Sequence, residues 1–223
     1  MYKETFFLLF AHEVKDILSG LGNYLYLLNN QGLNSKENLL MLQQLENEFK
    51  DHETYIHELL FWAKQKRADF NHSEKDINLK QLTECIIQNH DIINMSFHKN
   101  IRFQNHISDL VLKLDQTLYT IVLKNVIRNA LKFSEANSSI HLKATLINNE
   151  VISYVCDSGT GINLNKPTDI AIPFSTSSSQ HRTGSGLALS LCKELLKTEG
   201  GEIWAVNNQD KGITVFFSLP IYQ

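Results

Sequence analysis

The stretch LKNVIRNALKFS, residues 123–134, reads as the end of an apolar helix that carries polar groups along one side. Asn125, Asn129, Lys132 and Phe133 stand at i, i+4, i+7 and i+8, positions that a helix gathers on a single face. Two carboxamides and an ammonium are costly to bury unless something polar lies on them. A magnesium-bound triphosphate meets that need, because amide oxygen suits the hard cation and ammonium suits phosphate.

Three later segments extend this reading. VCDSGTGI, residues 155–162, ends a predicted strand at Asp157 and follows it with Gly159 and Gly161, which permit close backbone approach. A carboxylate fixed there can accept a hydrogen bond from an exocyclic amine such as that of adenine. IPFSTSSS, residues 172–179, leads into a polar run. TGSGLALSLCKELLKTEGGEI, residues 183–203, sets Gly184 and Gly186 before a helix whose N-terminal amides can cradle phosphate. Singly, Asn129 reads as a capping or surface amide and Asp157 as a turn residue. Their order and spacing give them meaning together.

Around these segments the pattern predicts a helix over about 79–95, extended stretches near 100–106 and 110–114, and a helix over 116–133. Strands at 138–147 and 150–156, a helix near 185–199 and the closing strands EIWAVNN and GITVFFSLP complete it. Helices mixed with largely antiparallel strands indicate an α/β sandwich over 77–223. The polar, aperiodic run at 68–76 reads as a linker.

Residues 1–67 have a different texture, with no proline and only Gly20, Gly22 and Gly32. Apolar residues at Phe6, Phe10, Val14, Ile17, Leu21, Tyr24 and Leu28 alternate steps of three and four. A second series runs Leu42, Leu45, Phe49, His52, Ile56, Leu59 and Ala63. Both are coiled-coil-like seams, broken at Gly32-Leu33-Asn34-Ser35, where Asn34 or Ser35 can cap the second helix. A hairpin of this kind cannot bury both seams alone, whereas two copies forming a four-helix bundle can.

In this order and spacing, the four carboxyl-terminal segments resemble the N, G1, F and G2 boxes of the histidine kinase ATPase domain. That domain has the Bergerat fold, shared with gyrase and MutL. The resemblance implies ATP and Mg²⁺ as cofactors and assigns roles by position. Asn129 would be the Mg²⁺ ligand, with Asn125 supporting metal and phosphates. Lys132 would contact phosphate, and Phe133, where Tyr is common, would pack on the nucleotide. Asp157 would read the adenine amine, with Gly159 and Gly161 shaping that pocket and Thr214 supporting it. Gly184, Gly186 and Leu187 would line the lid and phosphate loop. One departure is Ala188, where the pattern usually has glycine.

The first half carries FLLFAHEVKDILSG. On a helix whose core includes Phe10 and Val14, His12 lies about 160–200° from both and faces solvent. An exposed histidine is usually a surface residue, and the chain has nine. His12-Glu13-Val14-Lys15, upstream of an ATPase domain, nevertheless resembles the H box of the family. The resemblance makes His12 the phosphoacceptor and Glu13 its general base. The family commonly has Thr or Asn four residues after the histidine and Pro at the fifth. Asp16 and Ile17 stand there, which favours kinase activity over phosphatase activity.

The expected activity is therefore ATP-dependent phosphorylation of His12 and transfer to an aspartate of a response regulator, in a homodimer built through the hairpin. A catalytically degenerate ATP-binding scaffold and a Bergerat ATPase without phosphotransfer are the alternatives. A kinase directed at Ser/Thr, of the anti-sigma type, shares the ATP site but normally lacks the hairpin. The net charge of −3 gives no bulk attraction to nucleic acid or to an anionic membrane. The first apolar run is too short to span a bilayer. Cys85, Cys156 and Cys192 read as reduced, mostly buried thiols of a cytoplasmic protein. The abrupt start, with no obvious input domain, fits the cytoplasmic part of a larger membrane receptor.

Overall fold

The computed structural model describes residues 74–162 and 187–222, with positions 167 and 170 and scattered positions between 11 and 56. The chain divides into two compact units, Met1–Phe70 and Asn71–Gln223. In the first unit, Ala11, Val14, Lys15, positions 17–23, Leu25, Tyr26 and Asn29 are helical, as are Leu42, Gln43, Phe49 and Ile56. Of the expected seam, Val14, Ile17 and Ile56 are half-buried, while Leu21, Leu42 and Phe49 are exposed. His12, Glu13 and Asp16 lie outside the described residues.

The second unit runs β1 (Glu74–Asn78), α1 (Leu79–Ile87), α2 (His90–Lys99), β2 (Arg102–Asn105), β3 (Val111–Asp115), α3 (Gln116–Phe133), β4 (Ser139–Ile147) and β5 (Glu150–Cys156). It closes with α4 (Leu187–Thr198), β6 (Ile203–Asn207) and β7 (Ile213–Pro220). Strands β1 and β3 form a two-stranded antiparallel sheet. The other five form one sheet ordered β2-β4-β5-β7-β6, parallel only between β2 and β4.

Two local differences from the sequence reading have clear causes. The expected helix at 79–95 is two helices. Asn89 is extended, and its side chain accepts from Asp91 N at 3.2 Å, restarting the chain as α2. The expected linker ends earlier, because Glu74, Lys75 and Asp76 pair with Asp115, Leu114 and Lys113 of β3. A polar segment becomes a strand when a partner strand supplies its hydrogen bonds.

The core lies on one face of the large sheet. Inward residues Ile140, Leu142, Val151, Val155, Val215, Phe217 and Leu219 are buried, and their strand neighbours are half-buried or exposed at most positions. Helix α3 packs against this face. Its Leu118, Val122, Leu123, Val126, Ile127 and Leu131 are all buried, each contributing about 1.5–3 kcal/mol relative to exposure. Tyr119 Oη shares a 2.9 Å hydrogen bond with Ser153 Oγ on β5, and its ring sits 5.4 Å from Phe217 on β7. Burial pushes the Tyr119 hydroxyl up to about 12, partly opposed by that bond. Asp115 begins the helix by accepting from Leu118 N at 2.9 Å.

The cysteines differ from expectation. Only Cys192 is buried; Cys156 is half-buried and Cys85 exposed. Cys85 belongs to α1, whose buried residues are Leu79, Thr83 and Ile86, so its position falls on the outer side. No helix among the described residues is long and apolar enough to cross a membrane.

Candidate nucleotide-binding site

The final two turns of α3 carry the polar face read from the sequence. Asn125 is buried and donates from Nδ2 to Ile121 O at 3.1 Å. Asn129 and Lys132 are half-buried. The Lys132 ammonium lies 5.7 Å from the centre of the Phe133 ring, a cation–π contact. Phe133 is 51% exposed. A large apolar surface beside an ammonium suits the stacking and phosphate contacts of a nucleotide.

The loop after β5 meets the end of α3 backbone to backbone. Ser134 and Gly159 form an isolated antiparallel bridge. A methyl group at Gly159 would fall 2.6 Å from Phe133 O, so only glycine permits this approach. The turn bearing Lys132 and Phe133 is thereby set directly against the loop bearing Asp157.

Asp157 is 4% exposed. Its Oδ1 accepts from Gly159 N at 2.8 Å and Ile213 N at 3.2 Å. No hydrogen bond from the described residues reaches Oδ2, which leaves that oxygen to accept from an amine. Burial raises the carboxyl above the ordinary aspartate range, against the lowering effect of the Gly159 and Ile213 amides. The group is held in place through Oδ1 and desolvated, a setting that suits a hydrogen bond from an amine.

Thr214 is linked to Asp157 through Asn208. It pairs with Cys156 and shares its face with Phe216, opposite to buried Val215. Its hydroxyl donates to Asn208 Oδ1 at 2.7 Å, and Ile213 N donates to the Asp157 carboxyl. Gly161 has φ +75° beside the loop, and Leu187 is the first residue of α4. Gly184 and Gly186 lie outside the described residues.

Sequence reasoning missed the turn after β6. Asn207 brackets Ile162, accepting from its N at 3.0 Å and donating to its O at 2.7 Å. Asn208 Nδ2 donates to Asp157 O at 2.9 Å. Gly212, at φ +83°, is where an added methyl would fall 2.1 Å from Asp157 O. The run NNQDKG carries a turn signal in its composition, yet nothing in it names the distant loop it supports.

A magnesium nucleotide fits this set of residues. Asn129 would offer an amide oxygen, Lys132 a phosphate contact, Phe133 an apolar surface and Asp157 an acceptor for adenine. One protein oxygen with phosphates completing the shell matches the habit of Mg²⁺.

Comparison with known proteins agrees with the geometry. Residues 114–223 match the family described as histidine kinase-, DNA gyrase B-, and HSP90-like ATPase. The chain is 28% identical to the sensor histidine kinase WalK of Bacillus subtilis over 220 residues, covering 94% of this chain and 35% of that protein. It thus spans about a third of that curated relative's length. The catalytic domain of the histidine kinase ThkA is 27% identical, with TM-score 0.57, over 66% of this chain and 95% of that structure. Histidine kinase AdeS of Acinetobacter baumannii shares the fold at TM-score 0.73, over 95% of this chain and 98% of that structure, at 16% identity.

Proposed function

We propose that this chain, a histidine kinase catalytic core whose residues 114–223 match the histidine kinase-, DNA gyrase B-, and HSP90-like ATPase family, uses ATP to phosphorylate His12. The phosphoryl group would then pass to an aspartate of a response regulator receiver domain. The observation that carries this reading is the junction of Phe133 with Gly159. It brings the backbone of the turn that bears Lys132 and Phe133 against the loop that bears Asp157.

In this proposal Asp157 binds the adenine amine through Oδ2, and Phe133 covers the nucleotide. Asn129, supported by Asn125, holds Mg²⁺, which neutralises phosphate charge when bound. Lys132 orients the phosphates, with Gly184, Gly186 and Leu187 along the phosphate loop. The neutral His12 imidazole attacks the γ-phosphorus through one ring nitrogen. The bond from that phosphorus to the bridging oxygen breaks, and ADP leaves. Glu13 takes the proton from the other ring nitrogen. The remaining contribution is positioning and charge neutralisation. The helical hairpin of residues 1–67 would dimerise and present His12, with 77–223 as the catalytic domain.

Incubation with γ-labelled ATP tests the proposal. The expected result is acid-labile, base-stable label that disappears in His12→Gln and moves to a receiver domain on addition of a cognate regulator. Tight ATP binding with no label would instead identify the scaffold alternative, for which Asp16 and Ile17 are the motivating residues. ATP hydrolysis without protein label would identify a Bergerat ATPase.

A further inference from the structure

Helix α3 ends on a charge supplied from elsewhere in the chain. Lys99, the last residue of α2, donates from Nζ to Leu131 O at 2.9 Å, Lys132 O at 2.6 Å and Ser134 O at 3.0 Å. These bonds use all three ammonium donors on carbonyls at or just beyond the helix end. They reach across 32 to 35 positions of sequence. The corner is further stitched. Asn137 N donates to Lys99 O at 2.8 Å, and Asn100, left-handed at φ 51°, donates from its side chain to Asn137 Oδ1 at 2.8 Å.

The carbonyls in question belong to the turn that bears Lys132 and Phe133, and Phe133 O is the atom that a methyl group added at Gly159 would meet first. The C-terminal end of a helix carries roughly half a negative charge. An anionic triphosphate lying along Asn129 and Lys132 would meet that charge, and an ammonium placed among the carbonyls offsets it. Burial lowers the pKa of Lys99 from the ordinary lysine value.

We propose that Lys99 is a positioning residue for the phosphate and metal end of the nucleotide site. It closes the last turn of α3 so that Asn129 and Lys132 present their polar atoms to a magnesium triphosphate. The Asp157 carboxyl accepts its own bonds from Gly159 and Ile213, so the adenine end depends on Lys99 less directly than the phosphate end does. The inference rests on the nucleotide-binding reading above.

Calorimetric titration of the whole chain with Mg²⁺ and a non-hydrolysable ATP analogue, and separately with adenosine, tests it. Lys99→Met should weaken binding of the magnesium analogue by about tenfold and change adenosine binding by less than about twofold. Lys99→Arg, which keeps the charge, should recover most of the loss. Should Lys99→Met fail to fold, Lys99→Gln, which keeps donors without charge, carries the same comparison. Equal losses for both ligands would show a merely structural lysine and overturn the proposal. Unchanged binding of the magnesium analogue would overturn it as well. A parent chain that binds neither ligand overturns the nucleotide reading itself, and this inference with it.

Discussion

Asp157 keeps both its backbone hydrogen bonds on Oδ1 while its carboxyl is buried, so its charge and its shape can be separated by one substitution. Asn in its place retains an acceptor for Gly159 N and Ile213 N but removes the charge that burial disfavours. Asp157→Asn should therefore melt no lower than the parent at pH 7, while ATP affinity falls by about tenfold or more for want of the carboxylate acceptor. Scanning calorimetry and nucleotide titration check the two halves. The raised carboxyl also fixes the sign of a pH effect. The folded state holds this proton more tightly than the unfolded state. The group's stabilising contribution is thus full below the ordinary aspartate range and is lost as pH rises through its raised folded value. Nucleotide binding runs the other way. Affinity should decline on acidification from a pH above the ordinary aspartate range, and Asp157→Asn should abolish that dependence.

Helix α3 joins sequence to site at the level of elements. Its boundaries, Gln116–Phe133, coincide with those read from the apolar pattern, because a helix buried along most of its surface has its period written in many residues. Asp115 determines where it starts. Asp115→Ala should cost about 1–2 kcal/mol, measured by urea unfolding, from loss of the cap to Leu118 N. The same local logic failed at Gln88–Asn89, where a run with helical periodicity conceals an Asn able to cap a new helix. It failed at Glu74–Asp76 because strand formation there depends on β3, more than thirty residues later. On the sheet face away from α3, Trp204, Phe216 and Tyr154 meet across three strands, with ring centres 5.4 and 5.3 Å apart. Such cross-strand aromatic contacts help set the register of neighbouring strands.

For the whole molecule, the first unit raises the matter of what covers its apolar residues. Leu18, Leu25 and Tyr26 are 63%, 62% and 70% exposed, beside the half-buried seam residue Ile17. Their exposure supports the proposed pairing of two hairpins. Sedimentation should give a particle of twice 25.6 kDa, and Ile17→Lys should shift it towards 25.6 kDa while leaving ATP affinity within about twofold. A monomeric parent at micromolar concentration would sink the dimer reading.

The amino-acid sequence alone determined which residue types share a helix face and where α3 and most strands run, and it nominated Asn125, Asn129, Lys132, Phe133 and Asp157 as one chemical set. Helical and strand periods are local, so spacing suffices to read them. Only the tertiary structure decided how those groups are held. It linked Thr214 to Asp157 through Asn208 and put Ile213 N on the Asp157 carboxyl, because the end of β7 is placed by its pairing with β5. It brought Lys99 onto the end of α3 and Asn207 onto Ile162 through bonds spanning 32 and 45 positions. Such contacts join residues that no local pattern relates, and their energy exists only once the chain has folded around them.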